Sequence, residues 1–380
     1  MKIGTVTFYE IDENYGCILQ CFALPKFLNQ LGHDAFFIKS RYDVQVAKAS
    51  IMARLYNRFA PWLFHPVQSY KRHEAQKVMA SNARLRRVQA LEHPRGFEHF
   101  MDVNIPSTEK VCSQYELMAT PPQADAYVCG SDQIWGGVNP TMYLRFAPKN
   151  SKKISYAASF GGLVPSEETQ NYIREAISDF DLVTVREASG VELCKNKLGR
   201  KDAQLVPDPT LLLHAEDYRA VSREPITERH TTKPYIFLYL LGNTMSVKVS
   251  EIMNFAEKHG LDVKYVASNG RVDEYPKIYP SVEEWLYLLE HSDYVITNSF
   301  HGTVFSLIFK RKFLTIPLSK TYQRMNARID TLFESVNLKN RLYNGCFDVL
   351  FEDVDFADFE KMQAKEIERV KTMFNSILEK

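Results

Sequence analysis

Residues 293–310, DYVITNSFHGTVFSLIFK, leave few folds open to this chain. Tyr294, Val295 and Ile296 form a short apolar β run, and Val304, Phe305, Leu307 and Ile308 then recur at helical spacing. A strand enters a helix through the polar turn Asn298-Ser299-Phe300-His301-Gly302. In an open parallel sheet such a turn lies at the carboxyl edge, where ligands bind. Free N–H groups at the helix start, with the helix dipole, suit an anion. His301 can donate to that anion or move a proton near neutral pH. The plainer reading is a capped helix, with Ser299 as N-cap, Gly302 behind it and His301 half exposed.

The same alternation runs along the chain. Residues 2–8, 35–38, 126–129, 153–158 and 182–185 read as strands, with helices at 17–31, 166–178 and 189–197. A polar stretch at 214–233, carrying Glu224-Pro225 and Lys233-Pro234, reads as a linker. Strands at 235–241, 262–267, 294–297 and 313–316 then alternate with helices at 247–259, 282–291 and 303–310. The pattern predicts an α/β protein of two doubly wound, Rossmann-like domains with a cleft between them. The expected division is 1–214, with a basic helical insertion at about 45–102, and 215–356. A charged amphipathic helix at 357–380 is expected to pack back on the first domain.

The net charge of +1 argues against nucleic acid as a partner. It hides an asymmetry: Lys39 to Arg95 holds 12 Lys and Arg against three acids, a segment of +9. Within it Arg54, Arg58, Lys71, Arg72, Arg84, Arg86 and Arg87 are interleaved with Tyr56, Phe59, Trp62, Phe64 and Tyr70. That mixture suits peripheral contact with an anionic membrane face. The ordinary alternative is a helical insertion with its aromatics packed inward. Six cysteines show no CxxC pair, so neither a metal site nor a disulfide framework is expected, and free thiols fit a cytoplasmic protein. The first residues read as a strand rather than an export signal, and no stretch reaches the roughly 20 apolar residues of a spanning helix.

Other strand ends carry polar turns. Asn14-Tyr15-Gly16 follows the first strand and either cradles a substrate or is a simple βα turn. Ser131, Asp132 and Gln133 offer a hydroxyl, a carboxylate and an amide after a buried strand, and Trp135 offers a flat wall for a sugar ring. Asp132 as an ordinary helix cap is the alternative. Arg186 ends another strand, where its planar fork suits a carboxylate or phosphate, or else pairs with Glu187 at the surface. Lys320, Arg324 and Arg328 place positive charge downstream of His301.

In this order and spacing, Asn14-Tyr15-Gly16, Gly130-Ser131-Asp132-Gln133-Ile134-Trp135, Ser155–Gly161, Val185-Arg186-Glu187, Asp208-Pro209-Thr210, Ser299–Gly302 and Asn326-Ala327-Arg328 resemble the polysaccharide pyruvyl transferase family. The resemblance covers about residues 2–335. It implies a glycosyltransferase-B-like fold and phosphoenolpyruvate as donor, with no further cofactor. It also implies a pyruvate ketal placed on a saccharide acceptor, lipid-linked when the polymer is built at the inner membrane face. On this reading His301 and Asp132 are the candidate catalytic residues. Arg186, Ser299, Gly302, Lys320 and Arg328 hold the donor, and Asn14, Tyr15, Gly16, Ser131, Gln133 and Trp135 the acceptor. The competing readings are a nucleotide-sugar glycosyltransferase of the same fold and a saccharide-binding scaffold without activity.

Overall fold

The computed structural model describes residues 1–9, 13–41, 88, 91–225, 233–242, 245–268, 271, 273–319, 323 and 326–379. The chain divides into two compact units, one of Met1–Arg41 with Gly96–Lys380, the other of Tyr42–Arg95. Only residues 88 and 91–95 of the second unit are among those described. The expected membrane-facing residues Arg54 to Arg87, and Lys320 and Arg324, lie outside the described residues.

The first unit opens with β1 (Lys2–Val6), α1 (Tyr15–Gln30), β2 (Asp34–Phe37) and β3 (Ser40–Arg41). After the second unit come α2 (Phe97–Asn104), β4 (Cys112–Ser113), α3 (Gln114–Ala119), β5 (Ala126–Cys129) and β6 (Lys152–Ala158). Next are α4 (Glu167–Ala176), β7 (Leu182–Val185), α5 (Ala188–Asn196), β8 (Gln204–Leu205) and α6 (Ala215–Arg219). β9 (Tyr235–Tyr239), α7 (Val249–Lys258), β10 (Asp262–Val266), α8 (Val282–Glu290), β11 (Tyr294–Thr297), α9 (Phe300–Ile308) and β12 (Lys312–Thr315) follow. α10 (Ala327–Val336) and α11 (Ala357–Leu378) close the chain.

Six strands form one sheet in the order β2-β1-β5-β6-β7-β8, and four form another in the order β10-β9-β11-β12; every pairing is parallel. β5 and β7 are buried along their whole length, which is why they read as unbroken apolar runs rather than alternating ones. In both sheets the strand order reverses once, between β1 and β5 and between β9 and β11. Ligands of open α/β sheets bind at such switch points.

The two sheets share one core. Tyr15 of α1 stacks on Trp285 of α8 at 5.3 Å between centroids and meets the ring of Tyr239 at 5.7 Å. Trp285 also packs edge-on against Phe305. Aromatic pairs of this kind add about 0.5–1.5 kcal/mol each beyond area burial. α11 returns to the first sheet: Phe374 stacks on Tyr156, and Gln363 donates to the carbonyls of Leu211 and Leu213.

Two boundaries differ from the sequence reading. The stretch 214–233 holds a helix, α6, because Tyr218 is fully buried against Phe305 and donates to the Thr210 carbonyl. Phe97–Asn104 belongs to the first unit rather than to the insertion, since Phe97, Phe100 and Met101 enter its core.

Candidate functional site

The switch point of the larger sheet is built by glycine and by strand-end hydrogen bonds. Gly130 sits at φ +118°, and a Cβ there would lie 2.0 Å from the Tyr156 carbonyl oxygen, so only glycine fits. Thr7 Oγ1, just past β1, donates to the Ser131 carbonyl at 2.7 Å. Asp132 takes a left-handed φ of +75°, tolerable for Asp, and presents its carboxylate sideways.

That carboxylate is fully engaged. One oxygen accepts from Cys17 Sγ and Gln20 Nε2, both at 3.3 Å; the other accepts from Arg186 Nη2 at 3.2 Å and the Gln133 N–H at 2.8 Å. Burial opposes its ionisation, but Arg186, Arg328 and His301 outweigh that and hold its carboxyl below the usual range. A carboxylate so occupied is a weak proton acceptor, and its geometry suits holding Arg186 rather than taking an alcohol proton.

Arg186 is buried, not part of a surface pair with Glu187. Nη1 donates to Asp208 at 2.6 Å and lies 3.4 Å from Ser131 Oγ, while Nη2 donates to Asp132. Both terminal amino groups of the expected anion clamp therefore face protein carboxylates, and Nε is buried without a partner among the described residues. Burial disfavours its charge, yet Asp208 and Asp132 raise its pKa above the ordinary arginine value.

Asp208 is absent from the sequence-derived site, although it stands between two prolines just past β8. It accepts from Arg186, from Ser131 Oγ at 3.1 Å and from the N–H and hydroxyl of Thr210 at 3.1 and 2.7 Å. His301 Nε2 lies 3.6 Å from the same carboxylate, too far for a hydrogen bond but close enough for a charge contact. Burial would raise its pKa; His301, Arg186 and Thr210 together carry it well below the carboxylate range.

His301 comes from the other sheet. α9 starts at Phe300, three residues earlier than the apolar spacing suggests, so His301 occupies its first turn and is buried rather than half exposed. Ser299 Oγ takes the Gly302 N–H at 3.2 Å, which leaves those of Phe300 and His301 without partners among the described residues. Gly302 presses on Thr297, where a Cβ would lie 2.5 Å from Oγ1. Asn298 ties β11 to the end of β9 by hydrogen bonds to both backbone groups of Leu241. Gly16 brings the halves together: a Cβ on it would lie 2.1 Å from His301 Nδ1.

Arg328, on α10, stands over the Phe300 ring, where Asp132, Glu187 and Asp208 favour its charge from a distance but none pairs with it directly among the described residues. Its guanidinium carbon is 5.4 Å from the ring centroid, and that of Arg186 is 5.2 Å away. Its Nε is buried, and no hydrogen bond or ion pair holds the group among the described residues. Burial and the charge of Arg186 lower its pKa to about 10. A cavity of about 170 Å³ has Arg186, Asp208, Phe300 and Arg328 in its wall.

The residues expected to hold an acceptor are mostly structural. Trp135 is fully buried; its indole donates to the Met142 carbonyl at 3.1 Å and its ring stacks on Tyr143, so no face is left for a sugar. Tyr15 is likewise core, its hydroxyl donating to the Pro280 carbonyl at 2.6 Å. Asn14 caps α1 by accepting from the N–H groups of Gly16 and Cys17. Ser131 faces Asp208, and Gln133 packs under Gly161. Glu187 also went unrecognised: it is buried, and one oxygen accepts from Ser159 Oγ and the Phe160 N–H, tying Ser155–Gly161 to Arg186.

No described helix is long and apolar enough to cross a membrane. No curated protein matches the chain. Among solved structures it is similar to the UDP-GlcNAc 2-epimerase from Methanocaldococcus jannaschii in complex with UDP-GlcNAc and UDP, at 13% identity and a TM-score of 0.48, over 99% of this chain and 100% of that one. It is also similar to the glycosyltransferase SnogD from Streptomyces nogalater, at 13% identity and a TM-score of 0.36, over 97% and 93%. The polysaccharide pyruvyl transferase family model matches residues 14–320, from the Asn14 cap through Asp132, Arg186 and Asp208 to the His301 helix, and the chain belongs to that family of transferases.

Proposed function

We propose that this transferase takes pyruvate from phosphoenolpyruvate and places it as a ketal on two hydroxyls of a saccharide. The observation that carries the donor is Arg328, a half-buried guanidinium that no carboxylate pairs with directly among the described residues, over the Phe300 ring at the start of α9. A charge partly withdrawn from water without a paired carboxylate is unfavourable, and an entering anion relieves it. The cavity beside it, of about 170 Å³, has room for a small anion such as phosphoenolpyruvate, since a void of about 150 Å³ accommodates benzene.

The chemistry needs one proton delivered to C3 of the enol and counter-charge for the leaving phosphate. Protonation makes C2 electrophilic; one acceptor hydroxyl adds, phosphate departs, and the second hydroxyl closes the ring. Of the two hydroxyl protons released, one balances the new methyl group and the other leaves with phosphate. His301 is the proton donor in this scheme, with Asp208 as counter-charge to its imidazolium. Asp132 and Asp208 hold Arg186, whose charge and free Nε face the donor. Arg328 binds a donor anion. The acceptor is a growing capsular, exopolysaccharide or cell-wall unit, carried on a lipid phosphate at the cytoplasmic face of the membrane.

Phosphoenolpyruvate at 100 times its dissociation constant should stabilise the folded chain by about 2.7 kcal/mol. UDP- and GDP-sugars should leave the melting temperature unchanged. The reverse pattern would make this a nucleotide-sugar enzyme. Arg328→Lys keeps charge but loses the fork, so KM for phosphoenolpyruvate should rise about tenfold with acceptor KM unchanged. A defect confined to the acceptor would move Arg328 to the other substrate. His301→Ala should lower kcat by about 10²-fold. A folded variant with ordinary turnover would remove His301 from the proton transfer.

A further inference from the structure

The cavity beside Arg186 and Arg328 has a wall drawn from beyond the family-matched stretch. Thr331, Leu332 and Ser335 of α10 line it, as do Met362, Glu366 and Arg369 of α11. Arg369 Nε donates to the two Glu366 carboxylate oxygens at 3.2 and 3.1 Å. Nη2 donates to Glu366 and, at 2.7 Å, to the Leu205 carbonyl. Nη1 has no hydrogen-bond partner among the described residues.

The cations around the cavity are not equally available. Arg186 is locked to two buried carboxylates, and breaking such pairs is strongly unfavourable. The Arg369 and Glu366 side chains are 35% and 20% exposed, so their pair, one helical turn apart, is half-buried and reaches solvent, unlike the enclosed Arg186 cluster. Phosphoenolpyruvate carries a carboxylate and a phosphate, a charge close to −3 at neutral pH. Arg328 alone does not balance it. Of the remaining arginines in the wall, Arg369 is the one an entering polyanion recruits most readily, because its pair is less enclosed than those of Arg186, its Nη1 has no partner among the described residues and Glu366 itself repels the anion.

We propose that Arg369 leaves Glu366 to bind one of the donor's anionic groups, so that the C-terminal helix supplies a donor-binding residue. This rests on the phosphoenolpyruvate reading above. Held by Glu366, Arg369 is the resting form of the site; released, it closes the cavity wall over the donor.

The test uses the full chain, with steady-state kinetics and thermal protection by phosphoenolpyruvate. Arg369→Ala should raise KM for phosphoenolpyruvate about 10- to 100-fold, the span expected for a lost charge-assisted hydrogen bond, with kcat within a few-fold and acceptor KM unchanged. Glu366→Gln keeps Arg369 on the Leu205 carbonyl but weakens its competing partner, and should lower that KM several-fold. The Gln variant also keeps the idea testable if the Ala variant folds poorly. A role limited to docking the helix would lower the melting temperature of Arg369→Ala and leave both KM values alone, and that result overturns the proposal. Wild-type protein unprotected by phosphoenolpyruvate would overturn the donor reading itself, whereas protection undiminished in Arg369→Ala overturns only the assignment of Arg369.

Discussion

Gly16→Ala is expected to lower pyruvyl transfer about 10³-fold while the chain still folds. The added methyl would stand 2.1, 2.4 and 2.8 Å from Nδ1, Cγ and Cβ of His301, distances no side chain tolerates. His301 cannot yield by a small rotation, because its own Cβ is among the clashing atoms and α9 is buried along its length. The imidazole must leave its place beside Asp208. Loss of a positioned acid contributes about 10²–10⁴-fold, and misplacing the reacting groups adds to it. Overpacking should cost about 1–3 kcal/mol of stability. The signature is coupling: a His301→Ala background removes the ring atoms at 2.1 and 2.4 Å and leaves only Cβ at 2.8 Å, so the same Gly16→Ala change should cost clearly less stability there. Additive stability losses, or ordinary turnover in Gly16→Ala, would show that the two residues do not meet as described.

Asp208→Asn should destabilise the chain by about 3–5 kcal/mol at pH 7, read from urea unfolding. The change leaves a buried Arg186 with half its counter-charge and removes the partner of His301. The pH dependence follows from the depressed carboxyl. An Asp in the unfolded chain titrates near 3.9, and in the folded chain well below that, so the unfolded state binds the proton first as pH falls. Its stabilising contribution is therefore complete above about pH 5 and shrinks as the solution is made more acid. Wild-type stability should fall between about pH 5 and pH 3, and Asp208→Asn should show a shallower slope there. Equal slopes would mean that Asp208 is not the ionised partner of Arg186 and His301.

Residues with a local signature are legible in the sequence, and those whose role depends on a distant neighbour are not. His301 is found by its place between a strand run and a helix run, and Arg186 by its place at a strand end. Trp135 carries the same local signature as a sugar platform would, yet it is enclosed by Tyr143, Phe160 and Phe180, rings from three other segments. Asp208 lacks any periodic context, and only the fold sets it between Arg186 and His301. The reverse error occurs at Asp132: a carboxylate in a strand-end turn reads as a base, while Cys17, Gln20 and Arg186 converge on it from elsewhere and occupy it.

The alternation of apolar strands and amphipathic helices by itself determined the fold class, the two sheets and the strand ends at which the candidate site gathers. Those properties follow from backbone periodicity and burial within a few residues of each position. Which groups touch is a different matter. The contact of Gly16 with His301, the double engagement of Arg186 and the placing of Arg328 over Phe300 all join segments 22 or more residues apart in the chain. A charge's pairing, and so its availability to a substrate, depends on distances of a few ångströms between such segments. Only the packing of the two sheets on their shared aromatic core decided those distances.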